Sequence, residues 1–183
     1  MDEKIIVQKI RELASGQSDS IIGFLSDIVK IPSAESQIKM VGERISDELN
    51  KLGFSQIHFD VQGNLQATIG EGPRLLVYDS HIDTVGVGDR ENWIHDPCAG
   101  VIENGRLYGR GTCDMKGFVA LALAAVPMAL DAGVKRPLQL AISYDEELGC
   151  LGAPHLLKAI GENLPRPRIA IIGEPTGMKL GVR

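Results

Sequence analysis

Hydrophobic positions in the first third of the chain recur at helical spacing. Ile5, Ile6, Ile10 and Leu13 form one stripe, and Ile21, Ile22, Leu25, Ile28 and Val29 form a second. Residues three and four apart share a helix face, so both runs predict amphipathic helices. Ser18-Asp19 is a start signal for the second helix and Pro32 a stop. A third stripe, Ile38, Val41, Ile45, Leu49 and Leu52, ends at Gly53, a residue suited to the left-handed position after a last turn. The polar positions between them, Glu43, Arg44, Asp47, Glu48 and Lys51, read as a solvated face.

After Gly53 the period shortens to two. "SQIHFDV" and "NLQATIG" flank Gln62-Gly63-Asn64 and predict a hairpin. Three short, almost wholly apolar runs follow, at 75–78, 138–142 and 169–172, separated by helical stretches at 115–130 and about 150–160. Continuous apolar strands alternating with helices predict an α/β fold, with a mixed, largely parallel sheet flanked by helices. A chain of 183 residues without internal repeats fits one sizeable core.

Composition narrows the function. With 44% hydrophobic and 23% charged residues the chain is ordinary for a globular protein and not for a disordered one. The net charge of -5 and the lack of a basic run speak against a nucleic-acid partner. No apolar stretch is long enough for a bilayer; the longest, 118–130, is alanine-rich and contains Pro127. The N-terminal "MDEKIIVQKIREL" is too charged for a signal peptide, so a cytoplasmic protein without membrane partners is expected. Cys98, Cys113 and Cys150 are far apart and odd in number, which predicts reduced thiols. Cys98 and Cys150 are expected as small buried apolar side chains, and Cys113 as packed against its loop.

The apolar runs end in reactive residues. The first leads into Ser80-His81-Ile82-Asp83, the second into Asp145, Glu146 and Glu147 of "SYDEELG", and the third into Glu174 of "GEPTG". Asp114 follows a glycine-rich turn in "LYGRGTCDMKG" and precedes a helix. Singly, each is ordinary: a polar strand end, acids complementing a helix dipole, a turn before Pro175, a helix cap. The Gly-Arg-Gly segment lacks the phosphate-loop pattern, and Arg110 reads as fixing its turn. Jointly the residues carry more meaning. Parallel strands bring their carboxyl ends to one edge, where ligands bind. Carboxylates crowded there repel one another, and a divalent cation removes that repulsion. One histidine with several carboxylates suits zinc, cobalt or manganese.

"SHIDTV", "GRGTCDMKG", "SYDEELG" and "GEPT", in this order, resemble the zinc metallopeptidase and deacylase family of acetylornithine deacetylase, succinyl-diaminopimelate desuccinylase and glutamate carboxypeptidase. The resemblance implies a zinc-peptidase-like catalytic domain, incomplete at its C-terminus. Residues 1–183 would be its N-terminal portion, with the lid or dimerisation domain and the C-terminal catalytic segment absent. It implies His81, Asp114 and Glu174 on one metal, Asp114 bridging to a second, and Glu147 on that second metal. Glu146 would be the general base and Asp83 the residue that orients His81. A cis peptide is implied at Asp114–Met115. The implied cofactor is Zn2+, or Co2+ or Mn2+, up to two per full-length subunit, and the full-length form would be a homodimer. The implied reaction is hydrolysis of an amide bond in N-acyl amino acids by a metal-activated water. Acetylornithine, a substrate of arginine biosynthesis, is favoured. A dipeptidase or aminoacylase of the same family, or a non-catalytic metal-binding fragment, is the alternative. The family's distal histidine has no counterpart among His58, His95 and His155.

Overall fold

The structure is a computed structural model that describes residues 3–34, 37–54, 56–73, 75–131, 133, 136–163, 166–177, 179 and 181. Three helices come first: α1 (Glu3–Gly16), α2 (Ser18–Val29) and α3 (Lys39–Lys51). The hairpin follows as β1 (Gln56–Phe59) and β2 (Leu65–Ile69), antiparallel, with Gly63 at φ +100 in the turn. Next come β3 (Leu76–His81), a small hairpin of β4 (Val101–Glu103) and β5 (Arg106–Tyr108), and α4 (Lys116–Asp131). The chain ends with β6 (Leu138–Ser143), α5 (Ala153–Asn163) and β7 (Ile169–Ile172). The β4–β5 hairpin adds two strands beyond those that the periodicity predicts. It turns on Asn104 and Gly105, both with positive φ, the backbone that an Asn-Gly turn favours.

The main sheet has the order β1-β2-β6-β3-β7. It is mixed: β1–β2 and β2–β6 run antiparallel, β6–β3 and β3–β7 parallel. One face carries Leu65, Ala67, Leu138, Leu140 and Ile142 against Ile28 of α2, Ile45 and Leu49 of α3, and Val119, Leu123 and Val126 of α4. The opposite face carries Val77 and Ala141, with Leu75, against Leu156 and Ile160 of α5. Both faces of β6 are therefore buried, which is why it reads as an almost wholly apolar run, interrupted by the buried Gln139.

Two apolar segments are not covered. The α1 stripe faces outward, with Ile5, Ile10 and Leu13 exposed, because α1 contacts little beyond α2; the Ile6 side chain lies outside the described residues. Strand β7 is exposed throughout, Ile172 at 62%, since it pairs only with β3 and has no neighbour beyond among the described residues. No helix among the described residues is long and apolar enough to cross a membrane.

Candidate metal centre

Parallel pairing of β6, β3 and β7 sets the site. Ser143 lies opposite His81, and Ile172 lies opposite Asp79. Gly173 N then donates to Asp79 O at 3.3 Å, so Glu174 leaves β7 alongside His81. The acidic turn after β6 starts beside the same residue. Asp114 arrives from the turn before α4, and the Asp114–Met115 peptide is cis. The chain thus converges four segments on one imidazole at the carboxyl ends of the strands.

His81 is 1% exposed. Its Nε2 stands 3.2 Å from Asp114 Oδ1 and 3.8 Å from both Glu146 Oε2 and Glu174 Oε1. Two sets of mutually close donors result, His81 with Glu146 and Glu174, and His81 with Asp114 and Glu147, each within 4.8 Å. The grouping differs in detail from the one the sequence implied: Glu146 sits with His81 and Glu174, and Glu147 joins His81 and Asp114.

The tautomer follows from the other ring nitrogen. His81 Nδ1 lies 2.9 Å from the Asp83 main-chain oxygen, which can only accept, so Nδ1 carries a proton. The Asp83 carboxylate is 3.5 Å away and contributes charge more than hydrogen bonding; its Oδ1 has no hydrogen-bond partner. Its Oδ2 accepts from Glu147 N at 3.0 Å, which ties the His81 strand end to the acidic turn. Nε2 therefore presents its lone pair to carboxylate oxygens that are also acceptors. Such a donor set is satisfied by a cation or by a doubly protonated ring. Burial opposes the imidazolium, but Asp83 and Glu174 outweigh it and lift the His81 pKa to about 9. Burial also opposes the Asp83 charge, yet His81 and the Glu147 and Glu146 amides hold this carboxyl below its usual range. Burial raises Glu174, and the like charges of Asp114, Glu146 and Glu147 add to it against the pull of His81. One imidazole facing several crowded carboxylates fits a hard or borderline divalent metal.

Behind the site, burial pushes the Asp79 carboxyl up to about 6, with His81 pulling the other way. A raised acid weakens the fold once ionised, fully above about pH 6 and not at all below its ordinary value. Asp79→Asn is expected to stabilise the metal-free chain by about 1–2 kcal/mol at pH 7.5, and by almost nothing near pH 3.5. Urea titrations at the two pH values check this; equal stabilisation at both would refute the burial argument.

The cysteine expectations need correction. Cys113 and Cys150 are exposed and Cys98 is only partly buried. Cys150 sits on the surface turn with φ +59, and its thiol donates to Glu146 Oε1 at 3.4 Å. Asn64, read only as a turn residue, is fully buried. Its Oδ1 accepts from Tyr144 N at 3.1 Å, and its Nδ2 donates to Gly152 O at 3.0 Å. It thereby clasps both ends of the acidic turn. Arg110 fixes its loop, donating to Gly86 O at 3.3 Å and lying over the Trp93 ring. The remaining histidines stand apart. His58 and His155 are exposed on β1 and α5, and His95 lies against Glu103 and Tyr108.

Residues 77–183 match the sequence profile of peptidase family M20/M25/M40. The chain belongs to this family. Among M20 relatives it is 34% identical to the uncharacterized protein YgeY of Escherichia coli K12 over 96% of its length. It is 40% identical to succinyl-diaminopimelate desuccinylase of Gluconobacter oxydans over 70% of its length. It is 35% identical to acetylornithine deacetylase of Pasteurella multocida over 81%. The chain spans 44%, 35% and 39% of these relatives, less than half of each. The M20 metallo-carboxypeptidase Sso-CP2 of Sulfolobus solfataricus shares the fold, with a TM-score of 0.73 at 23% identity, over 94% of this chain and 37% of that one. As an M20 chain, this one is of a hydrolase family with metal-dependent members, and the mixed sheet is the fold of its neighbours.

Proposed function

We propose that this chain is the N-terminal part of a cytoplasmic metal-dependent amidohydrolase acting on N-acyl amino acids, with acetylornithine the favoured substrate. The observation that carries the reading is the facing of His81 Nε2 onto Asp114, Glu146 and Glu174, with Glu147 in the same cluster. His81, Asp114, Glu147 and Glu174 would hold up to two metal ions. When bound, zinc, cobalt or manganese supplies Lewis acidity toward a carbonyl and lowers the pKa of water.

The chain's own residues do the rest. Asp83 fixes the His81 ring through its main-chain oxygen, leaving Nε2 free to ligate. Its carboxylate grips the Glu147 amide and so sets where the acidic turn stands. Glu146 is the base: it takes a proton from the attacking water and delivers it to the leaving amine. Cys150 holds Glu146 Oε1 at the rim, which leaves Oε2 turned toward the cluster. The names of the acetylornithine deacetylase and succinyl-diaminopimelate desuccinylase relatives support an acylated amino-acid substrate. A lid or dimerisation domain and a later catalytic segment, including a distal histidine, would belong to the remainder of a homodimeric full-length protein. A dipeptidase reading has support in the fold shared with human carnosine dipeptidase 1, at a TM-score of 0.73.

The test is metal content together with release of amine from N-acetylornithine, with and without a chelator. Bound metal and chelator-sensitive hydrolysis are expected for the catalytic reading. One equivalent of metal without hydrolysis would favour a non-catalytic metal-binding fragment, and a folded chain that takes up no metal would end both.

A further inference from the structure

Lys116 stands two residues beyond Asp114, at the first position of α4, and is 1% exposed, the largest fully buried side chain among the described residues. Its Nζ donates to Ile28 O at 2.9 Å and to Ile31 O at 2.8 Å. The Ile28 carbonyl belongs to the last turn of α2, whose final carbonyls have no partner within the helix, and α2 has no basic residue of its own there. A cation suits that end of the helix dipole. A buried ammonium is nevertheless expensive, and a methionine would fill the same volume without that penalty. The cation needs a reason beyond packing.

Its neighbours supply one. From Ile31 the chain continues as a short strap to Ala34, which forms a parallel bridge with Thr84, while Thr84 N donates to Ser33 O at 3.0 Å. Thr84 directly follows Asp83 and lies three residues beyond His81. On the other side, Lys116 N donates to Gly111 O at 2.9 Å, closing the turn that delivers Asp114. Gly111 has φ +89, and a Cβ there would come within 3.0 Å of both Lys116 Cδ and Thr84 Cγ2. The lysine stem, the Asp114 turn and the segment after His81 are therefore packed together around one glycine.

We propose that Lys116 is a positioning residue for the metal centre: its ammonium bolts the end of α2 and the 31–34 strap to the Asp114 turn, and so fixes Asp114 relative to His81. The inference rests on the metal-binding reading given above. The residue touches neither metal nor substrate; it acts through the main chain of two segments.

Cobalt titration of the purified chain tests it, because visible Co2+ absorption reports ligand geometry and calorimetry reports affinity. Lys116→Met is expected to keep the circular-dichroism spectrum of the fold, to bind Co2+ at least about tenfold more weakly, and to shift the visible bands. A folded Lys116→Met chain with unchanged affinity and bands overturns the proposal. Should that variant fail to fold, hydrogen exchange on the unsubstituted chain decides. Cobalt is then expected to slow the amides of residues 28–31 along with that of Lys116, and slowing at Lys116 alone overturns it. An unsubstituted chain that binds no Co2+ overturns the metal-site reading and this inference with it, whereas normal binding with an indifferent Lys116→Met removes the inference alone.

Discussion

A Glu146→Gln chain is expected to keep its metal and lose its hydrolysis. Glutamine preserves the shape of the side chain and can still accept from the Cys150 thiol, but it cannot take a proton. A positioned base contributes about 100- to 10,000-fold in rate, and a fall of that size is expected in amine release from N-acetylornithine. Metal affinity should hardly change. The substitution removes one of the negative charges that raise Glu174 and takes Glu146 out of one donor set, but it leaves the other, His81, Asp114 and Glu147, whole. Calorimetric titration with zinc beside the rate assay separates the two effects. Hydrolysis at the unsubstituted rate would strip Glu146 of the role; loss of metal along with rate would make it a ligand.

His81→Ala has the larger effect on binding, since His81 belongs to both donor sets and its removal breaks both. Loss of a residue that merely orients a ligand costs about 10–100-fold in metal affinity, and loss of the shared ligand should exceed that. Zinc retained at unsubstituted affinity would mean that the carboxylates bind alone. The same variant tests the electrostatics of the metal-free chain. The folded pKa of His81, near 9, is above its unfolded value, so its stabilising contribution is complete below about pH 6.5 and fades as pH rises through about 9. His81→Ala should therefore cost more stability at pH 6 than at pH 10, relative to the unsubstituted protein. Urea melts at both values, with chelator present, give the comparison, and a cost independent of pH would leave only packing as its cause.

Much of this arrangement is legible in the sequence because parallel strands make it so. The apolar runs at 75–78, 138–142 and 169–172 mark β3, β6 and β7, and each is followed within a few residues by a histidine or a carboxylate. Strand direction then brings His81, Glu146, Glu147 and Glu174 to one end of the sheet. Asp114 was recognisable from its glycine-rich turn. What escaped the sequence reading depends on contacts that pattern does not encode. Asn64 looks like any hairpin asparagine until Tyr144 and Gly152 are seen against it. Lys116 looks like a surface lysine at a helix start until α2 closes over it. Cys150 follows an apolar expectation that holds for thiols inside a core, but its left-handed turn carries it outward. The outward α1 stripe and the bare β7 strand show the converse, since periodicity reports what a segment is able to bury and not whether something lies against it. The Asn104-Gly105 turn obeys the Asn-Gly rule for a tight hairpin, with both residues at positive φ.

The β1–β2 turn invites an engineer to splice in a tag or graft a loop, being short, glycine-containing and well before the reactive side chains in sequence. It is a poor choice. The Asp60 carboxylate draws the backbone of residues 62–64 around itself, and Asn64 carries that shape straight to the segment bearing Glu146 and Glu147. An engineer who lengthens this loop alters the chemistry from behind, through an amide that never meets a substrate.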